Sequence, residues 1–296
     1  MDWHSFITPA NVAAAVLALV PYLATAFFPE RIIAAVRSFP EWLRYSLPTL
    51  LCVPYALVTH AAGDFRWTWF ALYAALPPSI AMLLAQAARA DATDCGNWRD
   101  FLVLAVIGLA VDLRWFESAW PAHLAIFNKI LLLDAGIYGF VLIRDLKGTG
   151  FNLRLRGRDI STGLREVVLY TPVALVLGLG LGFLHAHAVF PRPSAIVFAW
   201  VFTFFFIAVP EELFFRGWLQ NLLERRMGRF PALMLTSVLF GLAHFNKRTA
   251  FFNWRYVLLA VLAGFFYGRA WRQDRRVGAS AVTHASVDAI WSLWLK

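Results

Sequence analysis

The sequence predicts an all-α polytopic membrane protein of about eight to ten transmembrane helices, with a catalytic helix bundle in its C-terminal half. Three observations predict it. Of the 296 residues, 60% are hydrophobic and only 15% charged, with a mean hydropathy of +0.62; a soluble domain is about 45–50% apolar and about 25% charged. The apolar residues come in runs close to the ~20 residues that a helix needs to cross a bilayer. No run alternates as a barrel strand does, and no internal repeat is visible. This composition argues against a soluble enzyme and against a disordered or fibrous chain.

Ten apolar stretches follow in order, at about 9–28, 46–62, 67–89, 101–113, 122–143, 166–188, 195–224, 229–246, 255–270 and 279–295. The first is preceded by MDWHSFITPA, which lacks the basic region of a cleavable signal, so it is expected to remain as a helix. The fourth is short and ends in Asp112 and Arg114, the mark of a re-entrant or interfacial segment. Residues 1–146 read as N-terminal transmembrane helices with few polar groups inside them. Residues 147–163 read as a basic cytoplasmic linker, and 164–296 as a core in which polar groups crowd an apolar context.

The net charge of +9 finds its place in loops rather than on nucleic acid, because no basic run is interleaved with aromatics in a soluble segment. If the loop Lys147–Arg165 is cytoplasmic, strict alternation puts 18 of the 27 Lys and Arg on that side and seven on the other. This asymmetry supports ten crossings with both termini outside. The cluster Lys247, Arg248 and Arg255 dissents. Cys52 and Cys95 form no CxxC, so neither a disulfide framework nor a thiolate metal site is expected.

Charges inside the apolar helices are the informative residues. A charge at a helix centre costs roughly 2.5–3.5 kcal/mol, and Glu211, Glu212 and Arg216 taken singly would cost about 8–10 kcal/mol. Glu212 and Arg216 are four apart and share a face; Glu211 lies about 100° away. In the next apolar stretch Phe240 and His244 are four apart. In the last, His284 and Asp288 are four apart, a spacing at which imidazole and carboxylate share one water or one substrate oxygen. Two carboxylates, two imidazoles, an arginine and a further acid thus sit on three apolar helices. No GxSxG, HExxH or Walker motif accompanies them. Lys129 and Asp134 share a helix and are candidates to pair with each other or with the core; His185 and His187 are expected near the outer face.

PEELFFRG resembles the EExxxR motif of the CAAX protease and bacteriocin-processing family of intramembrane endopeptidases. FGLAH resembles its FxxxH motif and HASVD its HxxxN/D motif, in the family's order, over about residues 195–296. By composition EExxxR would arise by chance in about one chain in 75, whereas the other two are weak alone. The resemblance implies a helical bundle around a water-accessible cavity. It also implies peptide-bond hydrolysis without covalent intermediate, cofactor or metal. It makes Glu211 the base that activates water, assisted by His244. Glu212 and Arg216 would hold the helix, and His284 with Asp288 would face the developing oxyanion. The chemistry is sensible in itself: a carboxylate withdrawn from water is a stronger base, and an oxyanion needs donors in a low-dielectric site.

Better-known members carry Asn at the position of Asp288. An ionised Asp would repel an oxyanion, so either burial keeps Asp288 protonated or, the preferred reading, it orients His284 and leaves the oxyanion to other donors. The partners expected are the bilayer and a membrane-associated protein or peptide substrate, with no nucleic acid. The location expected is a bacterial inner membrane. Two rival readings are a proton- or ion-coupled transporter, which would show repeat symmetry, and a non-catalytic scaffold or immunity protein.

Overall fold

The computed structural model describes residues 8–187, 191–246 and 252–295. Lys247, Arg248 and Lys296, three of the basic residues assigned to the outer side, lie outside them. Among the described residues the regular elements are helices, with no strand. The chain divides into two compact units, Met1–Lys147 and Gly148–Lys296.

In the N-terminal unit, α1 (Pro9–Phe27) begins where the Thr8 hydroxyl accepts the Asn11 amide at 3.1 Å. Pro9 fills the first turn, where its missing N–H is not needed. Ala14, Ala18 and Tyr22 face inward, while Val12, Val16 and Val20 remain exposed, as suits a face turned to lipid. The short helix α2 (Pro29–Ser38) buries only Pro29 and Val36. Helix α3 covers 41–62, tightens to a 3₁₀ turn at Leu47–Leu51 and ends at Gly63, whose φ of +75° supplies the left-handed cap. Then come α4 (Trp67–Ala90), α5 (Trp98–Asp112) and α6 (Ile126–Ile143). With 15 residues, α5 is about 22 Å long, short of a ~30 Å hydrocarbon core.

The polar end of this unit is tied by one buried cation. Arg144 reaches Asp91 at 2.5 Å and both Asp94 and Asp100 at 3.1 Å. Asp100 also closes a capping box with Asn97, accepting its amide at 2.8 Å. Lys129 and Asp134 do not pair: Lys129 is exposed and Asp134 buried, because five residues turn a helix by about 500° and leave the two about 140° apart.

The C-terminal unit contains α7 (Gly157–Gly180), α8 (Pro193–Met227), α9 (Arg229–Leu242), α10 (Trp254–Asp274) and α11 (Val277–Trp294). Helix α7 starts nine residues before the expected apolar edge, because Asp159 accepts the Arg156 amide at 2.8 Å and nucleates a charged first turn that hydropathy cannot register. The segment preceding it is strapped to this unit rather than extended as a linker. Val277 donates its amide to the Gly150 carbonyl at 3.0 Å. Arg276 donates to the Asn152 and Arg154 carbonyls and grips Asp159 at 2.8 Å. Gly150 has a φ of +71°, and a Cβ there would lie 2.0 Å from the Arg275 carbonyl oxygen, so the strap needs glycine at that point.

Each of the ten expected apolar stretches contains a helix among the described residues, although the sixth is helical only as far as Gly180. Among the described residues five helices, α1, α4, α6, α7 and α8, are long and apolar enough to cross a membrane by themselves; the others are shorter or more polar. Exposed Val168, Val176, Val197, Phe198 and Phe230 give the C-terminal unit the apolar exterior of a protein dissolved in lipid.

Candidate active site

Helix α8 carries EExxxR in an irregular stretch. Pro210 offers no N–H and its ring would press on the carbonyl four residues back. The helix widens to π geometry at Phe204–Ala208 and again at Leu213–Gln220, leaving Val209–Glu212 as an ordinary turn between them. Such widened turns recur at functional sites, because each inserts a residue and re-aims the side chains that follow.

Glu212 and Arg216 are fully buried and meet at 3.2 Å between Oε2 and Nε. Arg216 donates from Nη2 to the Gly264 carbonyl at 2.9 Å. Its guanidinium lies over Phe240, 4.6 Å from the ring centroid, and 5.6 Å from that of Tyr267, which compensates part of its lost hydration. A Cβ on Gly264 would crowd Phe240, Ser237 and Arg216 at 3.2–3.3 Å.

His284 is the hub. Its Nδ1 donates to Glu212 Oε1 at 2.9 Å. Its Nε2 faces Asp288 Oδ2 at 3.5 Å and Glu211 Oε2 at 4.0 Å. A carboxylate only accepts, so Nδ1 carries a proton toward Glu212, and the two acids beside Nε2 offer acceptors for a second proton there. Its plane is fixed by stacking on Tyr267 (4.6 Å, 18°) and by the edge of Phe240 (5.7 Å, 86°). Glu211 and Asp288 are each 29% exposed while Glu212 is fully enclosed; the Glu211 oxygen that faces Nε2, Oε2, is buried.

His244 sits just beyond the end of α9, not inside a helix as expected. There its Nδ1–H caps the Phe240 carbonyl at 2.8 Å, one of the acceptors that a helix end leaves without a partner. In the neutral ring this fixes the lone pair on Nε2. His244, His284 and Asp288 line a cavity of about 70 Å³, room for several waters at roughly 10–15 Å³ each. Its other walls are aromatic and aliphatic, among them Phe183, Tyr256 and Trp291. Glu211 and Glu212 are not lining residues; their link to the cavity is His284.

The structure therefore gathers Glu211, Glu212 and Asp288 around His284, with Arg216 behind Glu212, and sets His244 on the cavity that His284 and Asp288 share. His185 and His187 are exposed beyond α7. Among the described residues no group of three or more His, Cys, Asp or Glu side chains is arranged to hold a metal ion; here the acids are directed at the imidazole. Residues 193–290 match the family model described as type II CAAX prenyl endopeptidase Rce1-like.

This segment is similar to that family.

The Rce1-like segment runs from the start of α8 into α11, about a third of the chain, and contains all three motifs. The family is one of CAAX proteases. No curated protein and no solved structure matches the chain. Within the Rce1-like segment, sequence reading passed over Tyr267 and Gly264, which hold His284 and Arg216. Gly264 and Gly268 stand four apart in an apolar helix, a spacing that signals close helix approach and would have pointed to Gly264.

Proposed function

We propose that this chain is an intramembrane endopeptidase that hydrolyses a peptide bond of a membrane-associated protein or peptide with glutamate-activated water. The observation that supports it is the meeting of three motif-bearing helix segments at one imidazole, with the Glu211 carboxylate 4.0 Å from its outward nitrogen. That separation exceeds a direct hydrogen bond and suits a small group held between the two.

In this reading Glu211 takes a proton from water as the oxygen attacks the substrate carbonyl, and His244 Nε2 accepts a hydrogen bond that orients the same water. The carbonyl oxygen becomes an oxyanion facing the N–H of His284. Glu212 holds that ring through Nδ1, and Arg216 holds Glu212. The proton gathered by Glu211 passes to the amide nitrogen as the C–N bond breaks, leaving a carboxylic acid and an amine. The substrates we place here are peptide precursors or membrane-anchored C-terminal tails in a bacterial inner membrane.

Comparing membrane peptides from cells carrying wild type or Glu211→Gln tests this. Products that depend on Glu211 should fall by at least ~100-fold, the lower end for loss of a general base, with the variant still in the membrane. Undiminished products would overturn the proposal.

A further inference from the structure

Tyr267 lines the cavity, and its ring lies face to face with His284 at 4.6 Å. The same ring flanks the Arg216 guanidinium at 5.6 Å. These contacts use only the faces and edge of the ring. The hydroxyl makes no hydrogen bond to any described residue, and it is absent from the buried polar atoms that lack a partner. With the ring 2% exposed and set in the cavity wall, the small surface that remains opens onto the cavity. Other tyrosines differ in this respect. Tyr170, on the same wall, donates its hydroxyl to the Leu259 carbonyl at 3.0 Å.

A buried hydroxyl normally finds a partner. One left uncommitted on a cavity wall is a donor held for a ligand. We infer that the Tyr267 hydroxyl is a hydrogen-bond donor to the substrate carbonyl oxygen and to the oxyanion it becomes, beside the His284 N–H. Asp288, Tyr170, Glu212 and Arg216 are its electrostatic neighbours. Asp288 faces Nε2 at 3.5 Å, and as a carboxylate it supplies no donor as an amide there would. The phenol fills that role without a second charge in an enclosed site. The inference rests on the proteolytic reading above and adds a catalytic residue to it.

The test compares Tyr267→Phe, Tyr170→Phe, Glu211→Gln and wild type in proteoliposomes with a fluorogenic S-farnesylated peptide that ends in a CAAX tetrapeptide. Tyr267→Phe keeps both ring contacts and removes only the donor. Its kcat should fall by about 100-fold, the lower end for loss of one oxyanion donor, with KM and Tm unchanged. Tyr170→Phe should turn over like wild type. The inference is overturned if Glu211→Gln is inactive while Tyr267→Phe stays within about threefold of wild type. Equal rates for wild type and Glu211→Gln would instead remove the proteolytic reading.

A second measurement needs no substrate. In protein labelled at tyrosine Cζ, an uncommitted hydroxyl exchanges its proton quickly and gives one averaged carbon resonance in mixed H₂O and D₂O. Two resolved lines for Tyr267 would show a hydroxyl held by the protein and would overturn the assignment.

Discussion

Glu211 and Glu212 are neighbours in sequence, yet the fold gives them different tasks. Glu212 is enclosed between Arg216 and His284 Nδ1. Glu211 keeps 29% of its side chain exposed. Their variants should therefore fail differently. Glu212→Ala leaves Arg216 buried without its counter-charge and should cost about 3–5 kcal/mol, visible as a lowered melting temperature in detergent. Glu211→Gln should melt like wild type and lose only turnover; the opposite pattern would reverse the two roles. Asp288 needs a modified account. The sequence reading made it the residue that orients His284, but Glu212 orients the ring from Nδ1, and Asp288 shares Nε2 with Glu211. Asp288→Asn should thus retain activity, with Asp288→Ala lower, in side-by-side kcat measurements; equal rates for Ala and wild type would leave Asp288 a packing residue. The motif acids and imidazoles were legible because charge is rare in apolar helices. Tyr267 was not, because an aromatic in GFFYG reads as ordinary core until its neighbours are known.

Helix α9 approaches α10 closely enough that side chains must be absent at the crossing. A Cβ on Gly241 would lie 2.3 Å from Val261 Cγ2 and 2.8 Å from the Val257 carbonyl oxygen. Backbone does not yield as a side-chain tip does, so Gly241→Ala should destabilise by about 1–3 kcal/mol, read as a drop in melting temperature. A change below the error of the melt would mean that the crossing is looser than drawn. At the polar end of the N-terminal unit, the α4–α5 loop depends on Asp91. Burial alone would raise its carboxyl, but the Gly96 and Cys95 amides, Arg144 and Thr93 outweigh this and hold it below its ordinary 3.8. A carboxylate with a lowered folded value contributes stability above its unfolded value, and loses it as pH falls through the folded one. The melting temperature should therefore decline as pH drops below about 4, and Asp91→Asn should flatten that acid limb while lowering the plateau. These ties escaped sequence reading. The Asp91, Asp94 and Asp100 carboxylates meet Arg144 across 44 to 53 positions, a separation that local pattern cannot bridge.

For the whole molecule, the charge asymmetry predicts that the loop containing Cys95 lies on the side of Lys147. A membrane-impermeant maleimide should label Cys95 in intact cells only after the membrane is permeabilised, with buried Cys52 unlabelled in both; labelling of intact cells would invert the topology. If the chain is the proposed hydrolase, activity should survive a chelator, and a loss restored by one added metal would replace the water-activation scheme. Composition determined the solvent of this protein and its helical class. A chain so apolar must hide its backbone hydrogen bonds within helices, and the uneven charges mark the loops. The cost of charge in lipid singled out Glu211, Glu212, Arg216, His244, His284 and Asp288 before any coordinates. Tertiary structure decided what spacing cannot carry. It chose Glu212 rather than Asp288 as the partner of His284 Nδ1, put His244 on a helix end, and set an unspent tyrosine hydroxyl in the cavity wall. A helix repeat fixes which side chains share a face, but only the close packing of several helices fixes which faces meet.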